Sequence, residues 1–157
     1  MAVKVEVRPL QPGDLDELLR DLRQADYDEV LAASGEVEAT VRQSPEHSIW
    51  TLVGLMDGKL ACVFGLAPLD GLLGRRGAPW MLGTHELDRH PGVLMRRCRG
   101  YVTGMLTHYP HLLNFVDARN ARSIRWLKRL GFTIHPAIPY GAAQLPFHLF
   151  EMKASHV

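Results

Sequence analysis

Between Leu112 and Phe132 the chain passes from a short apolar run through a polar turn into an amphipathic helix that ends on glycine. No other stretch restricts the fold as tightly. Leu112 to Val116 has the length and composition of a strand, and Asp117 to Asn120 is rich in turn formers. Apolar side chains then recur at Ile124, Leu127 and Leu130, the spacing of one helical face. Gly131 stops the helix, because glycine just past a helix end takes the left-handed cap at no steric cost. Lys128 and Arg129 fall in the last turn, where the negative end of the helix dipole favours cations.

The rest of the chain divides at its prolines and glycines. Val3 to Val7 alternates like a half-buried strand, and Pro12-Gly13-Asp14 introduces a helix with Leu15, Leu18, Leu19 and Leu22 on one face. Asp26 three residues before Glu29 has the spacing of a capping box for a second helix, which Gly35 ends; Glu36 to Gln43 adds a further turn or two. Ile49 to Leu55 and Lys59 to Leu66 flank Met56-Asp57-Gly58, a strong hairpin signal. Gly71 to Gly77 reads as a loop bearing Arg75 and Arg76, Pro79 to Leu87 as a strand, and Pro91 as the start of a helix exposing Arg96, Arg97 and Arg99. Phe132 to His135 and Pro146 to Met152 supply the last strands.

A chain of 157 residues with 46% hydrophobic and 22% charged residues is expected to form one domain over 1–157 with a core of its own. No apolar run is long enough for a membrane span, and Met1 to Glu6 lacks a secretory leader's profile, so the cytoplasm is the expected compartment. A net charge of +1 argues against nucleic acid as the main partner. Cys62 and Cys98 fit reduced core thiols. His85 and His90 lie five apart, whereas zinc on a helix face needs histidines four apart, so no metal is expected.

The block from Leu112 to Phe132 resembles the last conserved block of the GNAT N-acetyltransferase superfamily. Val116, Asn120, Ile124 and Leu130-Gly131-Phe132 match that pattern in register. Asn114 to Val116, Asn120 and Ile124 to Lys128 are more similar still to the GNAT-like internal virion protein A family of short-tailed phages. The resemblance implies an α/β fold with a central mixed, mostly antiparallel sheet flanked by helices. It also implies an acetyl-CoA site built on the turn after the fourth strand, where Gly92, Val93, Leu94 and Asn120 would hold the cofactor, and a base near that strand's end, Glu86 first and His85 second.

Two departures stand against the usual enzyme. The family's glycine-rich pyrophosphate motif is reduced to Glu86-Leu87-Asp88-Arg89-His90-Pro91-Gly92, with a donor lost at Pro91 and like charge at Glu86 and Asp88. The family's acid tyrosine, seven residues after the asparagine, is Leu127, so Tyr101, Tyr109 or Tyr140 would have to serve. The sequence therefore favours a phage-type virion or virion-assembly protein with a degenerate transferase site, partnered by portal or tail proteins and carried from the host cytoplasm into the particle. The alternative is an active acetyl-CoA-dependent N-acetyltransferase.

Overall fold

A computed structural model describes residues 2–71 and 73–155. Met1, the first residue of the segment read for a leader, and Leu72, inside the expected Gly71–Gly77 loop, lie outside them. Strand β1 (Val5–Pro9) leads through α1 (Asp14–Arg20), α2 (Gln24–Ser34) and α3 (Val37–Gln43) to β2 (Trp50–Met56) and β3 (Lys59–Pro68). Then follow β4 (Arg76–Gly83), α4 (His85–Arg89), α5 (Met95–His108), β5 (His111–Asp117) and α6 (Ala121–Leu130), and finally β6 (Thr133–Ile134), β7 (Ile138–Tyr140) and β8 (Leu145–Lys153).

The strands form one mixed sheet in the order β1-β2-β3-β4-β5-β8-β6, with β7 also paired to β8; every pairing is antiparallel except β4 with β5. Its pleat sorts the core into two faces. Val53, Val63 and Leu82 pack under α1 and α3 with Leu18 and Val41, while Leu66, Leu112, Val116 and Phe150 pack under α5 and α6 with Val102, Met105 and Leu127. Among the described residues no helix is long and apolar enough to cross a membrane.

Three expected boundaries move, each for a local reason. Strand β4 runs from Arg76 to Gly83, because Thr84 turns the chain: its hydroxyl donates to Leu60 O at 2.6 Å and accepts from Glu86 N at 3.2 Å, which caps α4. Asp26 does not cap α2. The N-cap is Arg23, and Asp26 lies a turn inside with its carboxylate turned to the sheet. Pro91 does not open α5; Gly92, at φ +82°, makes a turn first and the helix begins at Met95. The short β7 was not foreseen, because Pro139 breaks its pattern.

The parallel ladder between β4 and β5 is short, pairing Arg76 with His111 and Gly77 with Leu112 before the strands part. Pro79 explains why. Its carbonyl faces β5, where it accepts from Asn114 Nδ2 at 3.0 Å, so its nitrogen faces the same way and has no hydrogen to offer. Beyond it the gap is bridged by α2. Asp26 Oδ2 accepts from Gly83 N at 2.8 Å on the β4 side, and Glu29 Oε1 accepts from Asp117 N at 2.6 Å on the β5 side. Arg23 closes the corner, its main-chain N–H donating to Gly83 O at 2.9 Å and its guanidinium to both Asp26 oxygens at 3.0 and 3.2 Å.

The far end of α2 is also tied down. The carbonyls of a helix's last turn have no partners within the helix. Here Ala32 O and Ala33 O accept from Ala143 N and Ala142 N, both at 3.0 Å, in the turn between β7 and β8. Gly141 fits there because a Cβ would lie 2.7 Å from Ala33 Cα, and its φ of +76° suits glycine. Removing one partner of a buried ion pair leaves the other charge uncompensated, so Asp26→Ala should lower unfolding free energy by about 3–5 kcal/mol in urea titrations. Glu38→Ala, which breaks an exposed pair with Arg42, should cost no more than about 1 kcal/mol.

Candidate active site

Where β4 and β5 part, a cavity of about 250 Å3 passes through the sheet. On the α5–α6 side its wall includes Met81, Cys98, Tyr101, Val102, Trp126 and Leu127; on the α2 side it includes Glu29, Val30, Trp80, Phe115, Tyr140 and Phe147. The alternation of the strands makes this division. Asn114 and Val116 pair with Phe150 and His148 and face α5 and α6, so Phe115 between them faces α2. There its ring stacks on Tyr140 at 3.9 Å and 14°, and Tyr140 meets Phe147 at 5.2 Å.

The carboxylates of the cavity come from α2, while Thr40, Ser44, Asn114 and Ser123 add neutral polar groups. Burial, the largest influence on Glu29, pushes its carboxyl up to about 7, against the pull of the Asp117 N–H and the Asn120 side chain; Asp26 and Asp117 push the same way as burial. Burial also holds the Asp26 carboxyl above the ordinary range in spite of Arg23. Burial works on Asp117 too, but Arg119 outweighs it, donating from Nη2 at 2.7 Å, and the carboxyl sits below the ordinary range. Glu29 is thus the cavity's carboxyl that changes charge near neutral pH. Tyr140 is held above the usual phenol range by burial.

The residues singled out in the sequence scatter around this cavity. Glu86 sits on α4 with its carboxylate between Arg89 at 2.8 Å and Lys59 at 3.9 Å, and His85 is exposed with Nδ1 2.7 Å from Asp21. Asp88 bonds Arg23 at 3.3 Å and pairs with Arg122, so the acidic pair of this segment is matched by cations. Gly92, Val93 and Leu94 form the turn before α5; the Val93 N–H reaches His90 O at 3.4 Å, and the Leu94 side chain is buried with Met56, Ala61 and Cys62. His85, Glu86, Asp88, Gly92, Val93 and Leu94 all lie outside the cavity wall. Asn120 caps α6, its Oδ1 accepting from Ser123 N at 3.3 Å, while its Nδ2 is buried without a hydrogen-bond partner.

The tyrosines separate clearly. Tyr101 and Tyr140 reach the cavity, whereas Tyr109 is buried against Gly77. Leu127, at the position of the expected acid, is part of the apolar wall. Burial raises the Cys62 thiol to about 12 and the Cys98 thiol to about 11, values that leave neither as a nucleophile. Among the described residues no group of three His, Cys, Asp or Glu side chains is placed to hold a metal.

Asp26, Glu29 and the Phe115–Tyr140 stack were missed from sequence. The signal available was the pair of carboxylates three apart, which shares a helix face whether or not it caps the helix. The spacing has the form of a start signal; what it also encodes is two acids facing the same sheet.

No protein-family model matches the chain and no curated protein is similar to it, so the likeness to known proteins is one of structure. A GNAT-family acetyltransferase from Streptococcus pneumoniae superposes with a TM-score of 0.62 at 17% identity, covering 97% of this chain and 100% of that one. The ribosomal-protein-S5-alanine acetyltransferase from Vibrio fischeri gives 0.68 at 13%, with 99% and 98% covered. The ribosomal-protein-alanine N-acetyltransferase from Brucella melitensis gives 0.70 at 14%, with 94% and 99% covered.

A carboxyl raised by burial makes a signed prediction. Below an ordinary glutamate value of 4.5 the group is protonated folded or unfolded; between 4.5 and about 7 the folded chain holds the extra proton, so stability falls as pH rises through that window. Glu29→Gln should remove this dependence and raise unfolding free energy at pH 8 by about 3 kcal/mol at most. Urea titrations of both proteins at pH 5 and pH 8 check it.

Proposed function

We propose that the chain, whose fold is that of the GNAT acyltransferases, is an acetyl-CoA-dependent N-acyltransferase. The observation that carries this reading is a cavity through the splayed sheet with an enclosed carboxyl, Glu29, poised near neutral pH. A base is most effective when its pKa lies close to the working pH.

The residues present fit the cofactor in part. In the first turns Met95 N is bonded to Gly92 O, Ala121 N to Arg119 O and Ser123 N to Asn120 Oδ1, which leaves the amides of Arg96, Arg97 and Arg122 for an anion; the buried Asn120 amide, which also draws on Glu29, is a further donor. Arg96, Arg97 and Arg122 stand in those first turns, a setting suited to phosphate. Against this, Pro91 has no N–H, and the Val93 N–H is engaged with His90. Acetyl-CoA, when bound, supplies an acetyl group activated as a thioester.

The chain's own groups then divide the work. Glu29 takes a proton from the acceptor ammonium, which frees the nitrogen lone pair for the acetyl group that the thioester would supply, the sulfur of which would leave with a proton. Met81 faces the gap beyond the last β4–β5 pair, so its N–H is available to polarise a carbonyl. Tyr101, on the α5 side, holds a proton for the leaving sulfur. Glu86 is the second candidate base and His85 the third, both outside the cavity wall.

A second reading keeps the scaffold and drops the chemistry: a phage-type virion or assembly protein with portal or tail partners. It draws support from the block between Leu112 and Phe132, from the engagement of Val93, and from the Gly83 N–H being taken by Asp26. Calorimetry with acetyl-CoA followed by thiol release over an amine panel separates the two. Micromolar binding with turnover is the expected result. Glu29→Gln should lower turnover about 10²- to 10⁴-fold at unchanged acetyl-CoA affinity, with wild-type activity rising through an apparent pKa of about 7. No binding, together with recovery of the chain in purified particles, supports the second reading.

A further inference from the structure

Resting on the transferase reading, we infer that the acceptor is a small apolar amine without a carboxylate, of arylalkylamine size, and not a protein or peptide amine. The α2 side of the cavity decides this. Its wall is aromatic: Phe115 and Tyr140 are stacked, Phe147 is tilted against Tyr140, and Trp80 stands opposite on β4. The Trp80 indole N–H is spent on Ser48 Oγ at 2.8 Å, so the residue offers the cavity only apolar surface. Aromatic faces beside a carboxylate attract an ammonium group and an apolar body together.

The charges exclude acidic acceptors. Arg23 is the cation in the wall, and its guanidinium is bound to Asp26 at 3.0 and 3.2 Å and to Asp88 at 3.3 Å. Glu29, when ionised, would repel a substrate carboxylate, and among the described residues the wall has no free cation beside it to compensate that charge.

Size and closure exclude a chain. About 250 Å3 serves both sides of the sheet, and drug-sized ligands take roughly 300–1,000 Å3. The turn between β7 and β8 is bonded to the last carbonyls of α2 through Ala142 and Ala143, and Gly141 packs on Ala33, a residue of the wall. An extended peptide entering over Ala33 would have to break this contact.

The test uses the full chain with three probes: 2-phenylethylamine, phenylalanine, and a hexapeptide beginning with alanine. Phenylalanine differs from the first only by its carboxylate. Binding is measured by calorimetry without cofactor, and turnover by thiol release with acetyl-CoA. Expected are saturable binding of phenylethylamine and a kcat/KM at least tenfold above both others. Phe115→Ala should raise KM for phenylethylamine about tenfold with a smaller change in kcat. Phe115→Leu, a milder change, should move KM the same way if the alanine variant folds poorly. Gly141→Val should lift the turn from α2 and raise the peptide-to-phenylethylamine ratio. A higher kcat/KM for phenylalanine or the hexapeptide overturns the inference and leaves the transferase reading standing; absence of acetyl-CoA binding overturns both.

Discussion

Two carboxylates one helical turn apart hold this molecule open. Asp26 and Glu29 project from α2 into the gap between β4 and β5, and each replaces the hydrogen-bond partner that a neighbouring strand would give. A buried N–H without an acceptor is costly, so two strands cannot part inside a protein unless something else satisfies their edges. Here α2 does so, and Arg23 compensates the charge on the β4 side. Fold and site are one arrangement: the acids that make the gap affordable also make it reactive.

The two acids nonetheless differ. Asp26 has a guanidinium partner that donates twice and the Gly83 N–H besides, which suits a structural charge. Glu29 receives one main-chain N–H, lies beside two other carboxylates and has no cation bonded to it among the described residues. Its raised proton affinity follows from that inequality, and it places a destabilising charge where a base is useful. Such local cost is common in active sites, where a group is held in the state its task needs.

Much of the fold was legible because it rests on local signals. The Met56–Gly58 hairpin, the helix ending at Gly131 and the apolar faces of α1 and α6 all follow from periodicity and turn chemistry. The site was less legible, since its parts come from α2, β4, β5 and β7 and meet only in space. Asp26 and Glu29 carry a spacing with two meanings, and the local one, a helix cap, was the one available without the sheet. Glu86 was the acid in the expected segment, but Thr84 turns the chain before it and sends it to Arg89 and Lys59. Tyr140 was a candidate by residue type, but its stack on Phe115 could not be found from pattern, because β7 is three residues long and is ordered by β8.

Pro79 gives the cavity an unusual permanence. Hollows lined by side chains can be filled by a single larger residue, but part of this one lies in the main chain, where Pro79 faces β5 with no hydrogen to give. No rotamer change and no repacking of Phe115, Trp80 or Leu127 can supply that bond. Wall residues are therefore free to drift in size and chemistry while the opening itself persists, so the protein can change what it accepts without first having to rebuild a place to accept it.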